Sequence, residues 1–149
     1  MRAVVQRVRE AQVTVDGKGI AKLSFGLLAL IGIAKQDEGR DVTWMAEKLA
    51  GLRVFEDDGG KMNLSVAEVG GGILLISQFT LLGDCRRGKR PSFTEAADPH
   101  EARGLYVALV EEVASRGISV AQGCFQADMD VRFTNVGPVT ILLDSEKVF

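Results

Sequence analysis

An α+β fold in a single domain is what these 149 residues predict. Three observations point that way. Six short segments alternate or run apolar with β-branched residues, two others follow helical period, and the two kinds of segment do not alternate strictly. The expected architecture is a mixed or antiparallel sheet, curled and barrel-like, with helices packed on one side. A chain of this length fits one core and buries about two-thirds of the surface its unfolded form exposes.

Taken in order, strands are predicted over residues 3–8, 12–15, 26–33, 72–79, 129–134 and 139–143. Asp16-Gly17-Lys18-Gly19 reads as a hairpin turn. Val42, Met45, Leu49 and Leu52 then fall on one helical face, with Asp41 as the predicted N-cap and Gly51 near the end. A second helix is predicted over residues 99–116. Asp98 caps it, Pro99 suits a first position that needs no N–H, Glu101 stands at capping-box spacing, and Gly117 stops it.

Composition narrows function by exclusion. The hydrophobic (46%) and charged (26%) fractions are those of a globular chain without disordered tracts. The longest apolar run, residues 27–34, is broken by Gly32 and is too short to span a membrane. The opening residues alternate like a strand and lack the pattern of a secretory leader, so a cytoplasmic location is expected. Cys85 and Cys124 have no paired spacing and read as plain thiols. His100 is the only histidine. One histidine does not make a metal centre, and no Gly-x-Ser-x-Gly elbow accompanies it for a serine hydrolase. Gly70-Gly71-Gly72 precedes a strand instead of opening a helix, which argues against a nucleotide loop. Neither metal nor cofactor is expected. What remains is a binding module, or an enzyme whose reaction asks little of its side chains.

A net charge of -2 argues against coating nucleic acid by bulk electrostatics. Arg86-Arg87-Gly88-Lys89-Arg90 is the local exception, with four cations in five residues. It reads either as a phosphate-holding loop or as a solvated basic one.

Two segments can carry chemistry. Ser77-Gln78-Phe79-Thr80-Leu81 ends an apolar run and delivers hydroxyls, an amide and backbone N–H groups to the edge of a core. The same groups also suit simple capping of the strand end. Asn135-Val136-Gly137-Pro138-Val139-Thr140 lies between two predicted strands. It reads as an ordinary turn with a trans bond, or as a cis Gly-Pro unit whose two carbonyl oxygens face the same way.

Together these segments resemble the two signature motifs of the D-aminoacyl-tRNA deacylase family. The opening Met1-Arg2-Ala3-Val4-Val5-Gln6-Arg7-Val8 resembles that family's first strand, and residues 57–64, ending Gly60-Lys61-Met62-Asn63-Leu64, match as well. The resemblance implies an editing esterase that removes wrong-handed amino acids from tRNA. It implies a homodimer with two sites at the interface, each built from Ser77, Gln78, Phe79 and Thr80 of one subunit and Gly137 and Pro138 of the other. The Gly-Pro bond is expected to be cis and to act as the chiral filter. Phe125 and Ala102 match positions near the family's substrate pocket, and Arg7 resembles the arginine that fixes the Gly-Pro loop. The serine-glutamine-phenylalanine-threonine form favours the D-specific branch over the related trans Gly-Pro branch.

Two other readings compete. A non-catalytic RNA-binding module would use Arg86, Arg87, Lys89 and Arg90. A hydrolase of some small ester or amide would use Ser77 or Thr80 as nucleophile, but a hydroxyl needs an adjacent base and the sequence offers no obvious one. Neither explains why the two motifs occur together.

Overall fold

A computed structural model describes residues 1–148. Strands β1 (Arg2–Val15) and β2 (Lys18–Gly32) form a long antiparallel hairpin, turning at Asp16 and Gly17, both at positive φ. Helix α1 (Gly39–Gly51) follows, then a small two-stranded sheet of β3 (Phe55–Glu56) and β4 (Met62–Leu64). Strand β5 (Gly72–Ser77) runs into a 3-10 turn over Phe79–Leu82. Helix α2 (Pro99–Ser115), β6 (Ser119–Gln122) and β7 (Asp130–Asp144) complete the chain.

The main sheet has the order β6-β5-β2-β1-β7. Both sheet neighbours of β1 are antiparallel to it, whereas β5 runs parallel to β2 and to β6. The sheet is therefore mixed, as expected, but it is open, with β6 and β7 as edges. The barrel-like curl expected from the sequence is not found: a run of short strands fits a closed barrel and an open sheet equally well, and only pairing decides.

Parallel pairs need crossovers, and the two helices lie on them, both on one face. There Val42, Met45, Ala46 and Leu49 of α1, and Tyr106, Leu109 and Val113 of α2, pack on Ala3, Val5, Leu27, Ala29, Ile31, Ile73 and Leu75. The opposite face carries a second cluster of Val8, Ala11, Val13, Leu28, Leu74 and Ile76, built by strands alone. Leu142 stands more than half exposed (57%) on the edge strand β7. Burial on both faces is why β5 reads as a continuous apolar run instead of an alternating one. At the crossing of β2 and β5 the backbones nearly touch, since a Cβ on Gly26 would fall 1.9 Å from the Gly72 carbonyl oxygen.

Several boundaries differ from those the sequence predicts. Residues 3–8 and 12–15 belong to one strand, interrupted by Glu10 at φ 54° where pairing with β7 shifts. Residues 129–134 and 139–143 likewise merge into β7. The fourth strand stops at Ser77 because Phe79–Leu82 coils. The N-cap of α1 is Glu38, and Asp41 sits one turn inside, accepting the Glu38 N–H at 2.9 Å. β3, β4 and β6 are too short to show a period.

Met1 begins a network that ties the termini together. Its ammonium donates to Asp37 and, at 2.7 Å, to Ser145 Oγ, which donates onward to Asp41 at 2.6 Å. Arg2 pairs with Asp144 at 2.8 Å. Among the described residues no helix is long and apolar enough to cross a membrane.

Candidate active site

The Ser77-Gln78-Phe79-Thr80-Leu81 motif sits where β5 ends. Ser77 still pairs with Ile31, and the Gln78 N–H donates to the Ile31 carbonyl at 2.7 Å. That bond ends the ladder, and the Phe79–Leu82 turn then folds over it. The Leu81 N–H returns to the Gln78 carbonyl at 3.2 Å and the Gly83 N–H to that of Thr80 at 3.0 Å. Among the described residues the N–H groups of Phe79 and Thr80 meet no such acceptor, as expected at the open start of a turn. The Gln78 amide donates to Thr80 Oγ1, so both side chains are held by each other. Phe79 is 57% exposed.

Beneath this motif lies a cavity of about 610 Å³ lined by Ser77, Gln78 and Phe79 together with Ala102, Phe125 and Met129. Its size is that of an ordinary small-molecule cleft. Ala102 comes from the first turn of α2, where Asp98 caps the helix by accepting the His100 N–H at 3.0 Å. Phe125 follows β6 and rests on Tyr106 with ring centroids 5.8 Å apart. Tyr106 was not among the residues the sequence singled out. It is 2% exposed, its hydroxyl donates to the Leu75 carbonyl at 2.8 Å, and burial pushes its phenol above the usual range. It joins α2, β5 and Phe125 behind the cavity. Its only sequence signal is sharing the α2 core face with Leu109 and Val113.

Gly137 and Pro138 lie elsewhere. Their peptide bond is cis, and they form a bulge within β7: Gln6 of β1 pairs with Thr140 and Val8 with Asn135, so residues 136–139 stand opposite Arg7 alone. Arg7, 7% exposed, fills the gap. Its Nε donates to the Val136 carbonyl at 3.1 Å and its Nη1 to the Val54 carbonyl at 2.8 Å, with Glu56 3.7 Å from Nη2. Asn135 closes the bulge from the other side, accepting the Val139 N–H at 3.0 Å and donating to Thr140 at 3.1 Å. Gly137 has φ +121°, and a Cβ there would come within 2.9 Å of both Arg7 Nη2 and Val139 Cγ2. Gly137 and Pro138 themselves are exposed.

One chain does not bring the two motifs together. β2 and β1 intervene between β5 and β7, a separation of about 14 Å at ordinary strand spacing. Arg7 is level with Leu27 and hence with Ile73, so Ser77 also lies a further four residues along the strand. Ser77, Gln78, Phe79, Ala102 and Phe125 are gathered around one cavity; Arg7, Gly137 and Pro138 form a second, separate cluster.

The sequence as a whole decides the family. The model described as D-Tyr-tRNA(Tyr) deacylase matches residues 4–144. The chain belongs to that family. It is 55% identical to the D-aminoacyl-tRNA deacylase of Thermotoga petrophila and 57% identical to that of Kosmotoga olearia, each over 149 residues and the full length of both chains. Among solved structures, the c-Myc DNA Unwinding Element Binding Protein matches with a TM-score of 0.91 at 38% identity, over 97% of this chain and 98% of that one. A probable eukaryotic D-amino acid tRNA deacylase matches with a TM-score of 0.80 at 17% identity, over 95% of this chain and 97% of that one, a likeness of fold alone.

Proposed function

We propose that the cavity under Ser77, Gln78 and Phe79 is half of a deacylation site that Gly137 and Pro138 of a second copy complete. Membership in the family makes the chain a hydrolase of D-aminoacyl-tRNA. The observation that carries the finer reading is the separation of the two motifs. Each is fixed by its own hydrogen bonds and exposed, yet they lie on opposite sides of β1 and β2. Two-fold pairing lets each cavity meet the other chain's Gly137-Pro138 unit. The helix-free face of the sheet, with Leu142 exposed on β7, supports the same pairing.

The chemistry needs little from side chains. The ester joining an amino acid to the terminal ribose is already reactive. A water adds to its carbonyl carbon, the acyl C–O bond breaks, and the departing ribose oxygen takes a proton, leaving free amino acid and tRNA. The N–H groups of Phe79 and Thr80 are the donors for the oxyanion. The N–H of Gln78 is committed to Ile31 and is not among them. The ribose hydroxyl beside the ester orders or activates the water. Among the described residues no base is hydrogen-bonded to the Thr80 hydroxyl, which accepts from Gln78, so Thr80 orients its neighbours instead of attacking.

Handedness is sorted by main chain. With the α-ammonium held by the Gly137 and Pro138 carbonyls and the ester held at Phe79, an L side chain points into backbone and a D side chain points away. Recognition stops at the α-carbon, so many D side chains are accepted and glycine is not rejected. The test is release of amino acid from D-tyrosyl-, L-tyrosyl- and glycyl-tRNA with chelator present. Loss of the D and glycyl esters alone is the expected result; equal loss of the L ester contradicts the filter.

A further inference from the structure

Phe79 lines the cavity, and the Phe79–Leu82 turn that it opens continues into the basic loop. Asp84 and Ser92 exchange both backbone N–H···O bonds, at 2.7 and 2.9 Å, closing residues 85–91 into a loop. The Asp84 carboxylate then holds the loop's first cation, accepting the Arg86 backbone N–H at 2.9 Å and its guanidinium at 2.9 and 2.7 Å. The Arg86 guanidinium and N–H hold that carboxyl down at about 2, so the pair stays ionised into the acid range. Phe93, just past the loop, packs edge-on against Phe79 with centroids 5.0 Å apart. A Cβ on Gly83 would fall 3.1 Å from the Phe93 ring and 3.6 Å from Pro91, so the loop's base lies directly on the turn. Beyond the loop, the Lys35 N–H donates to the Glu95 carbonyl at 3.0 Å and the Ala97 N–H to that of Ile33 at 2.9 Å.

Arg87, Lys89 and Arg90 are exposed, and among the described residues none pairs with a carboxylate. Solubility does not require them, because the chain as a whole is acidic at -2. Unpaired cations on a fixed loop beside a cavity suit a polyanion that enters that cavity by one end. We propose that Arg87, Lys89 and Arg90 grip the sugar-phosphate backbone of the substrate RNA next to its esterified terminus, while Arg86 and Asp84 set the loop's shape. This rests on the deacylase reading of the cavity, and it assigns the RNA-docking surface that reading leaves open.

The test uses the full protein and the triple variant Arg87→Gln/Lys89→Gln/Arg90→Gln. Binding of uncharged tRNA is followed by fluorescence anisotropy across a salt series, and hydrolysis is measured on D-tyrosyl-tRNA and on 3′-O-D-tyrosyl-adenosine, which has no RNA backbone. Each lost phosphate contact flattens the slope of log K against log salt by about 0.7–0.9, so the variant is expected to lose about 2 from the slope. KM for D-tyrosyl-tRNA should rise about tenfold or more at physiological salt, with kcat and hydrolysis of the short ester unaltered. A control variant, Lys18→Gln/Lys22→Gln on the β1–β2 hairpin, should leave the slope in place. An unchanged slope and KM in the triple variant overturn the proposal, as does an equal loss in the control, which would reduce the effect to overall charge. If the parent protein cleaves neither ester, the deacylase reading fails by itself. The anisotropy slopes still decide the loop, in favour if only the triple variant flattens them and against it if not.

Discussion

Among the residues of the two motifs, Gly137 is the one glycine, and its replacement is constrained. Its φ of +121° lies where side chains are rarely tolerated, and a Cβ would strike Arg7 Nη2 and Val139 Cγ2. Gly137→Ala should leave the core intact, since the bulge lies on an edge strand, yet displace the acceptors proposed for the α-ammonium. An activity loss of about a hundredfold or more on D-tyrosyl-tRNA is expected, with a near-native melting curve. In the other motif, Thr80→Ala tests a side chain, and Phe79→Pro tests the main chain when read against Phe79→Ala, which loses the same ring from the cavity and from Phe93 but keeps the N–H. Phe79→Pro removes one N–H at a position opening the 3-10 turn, where proline's fixed φ is accommodated. It should cost about 10²–10³ in kcat, the usual price of one oxyanion donor. Thr80→Ala should stay within about tenfold of the parent, because the hydroxyl only accepts from Gln78. If the threonine variant is dead and the proline variant active, the roles assigned here are reversed. The sequence made Ser77, Gln78, Gly137 and Pro138 visible through residue type and order. It did not reveal that the Gln78 N–H is spent on Ile31, because a hydrogen bond between strands far apart in the chain leaves no local mark.

Among the elements, α2 holds the cavity in shape through Tyr106. The Leu75 carbonyl accepts both the Tyr106 hydroxyl at 2.8 Å and the Gly123 N–H at 2.9 Å. Tyr106→Phe therefore removes one of two bonds and should cost about 1 kcal/mol in urea unfolding, with KM shifting more than kcat as Phe125 loosens. No change in stability would mean that Leu75 is satisfied by Gly123 alone. α2 was the easiest element to read, because Asp98, Pro99 and Gly117 mark its ends by side-chain chemistry that acts within one turn. α1 was displaced at its start, since Glu38 and Asp41 are both acidic and three residues apart, and only the geometry tells cap from capped. The strands were legible where one face is buried. They were misjudged at Glu10 and at Gly137-Pro138, where a bulge looks locally like a turn while pairing with β1 carries the strand through. β6 was missed because Ser119–Gln122 is held by its parallel partner β5 and not by any pattern of its own.

For the molecule as a whole, the carboxylates set the response to acid. Burial alone would raise Asp41, but bonds from Ser145 and Glu38 bring it below its usual value. Asp57 is held low by the Lys61 N–H and Glu68 by the Ser65 N–H. A carboxyl lowered in the folded state loses its contribution as pH falls, because the unfolded chain takes the proton first. Asp37, raised by burial, runs the other way, its contribution fading as pH rises. With Asp84, held down by Arg86, four lowered carboxyls stand against one raised, and the melting temperature should fall from about pH 5 toward about pH 2; a flat profile in calorimetry would contradict this. The proposed sharing of each site between two copies has a genetic consequence. When each site borrows one motif from each chain, two separately inactive variants can restore each other. Mixing Gly137→Ala with Phe79→Pro subunits should regenerate one intact site in every hybrid dimer, about a quarter of all sites after free exchange. Such complementation between two damaged copies would make each of these alleles recessive to the other.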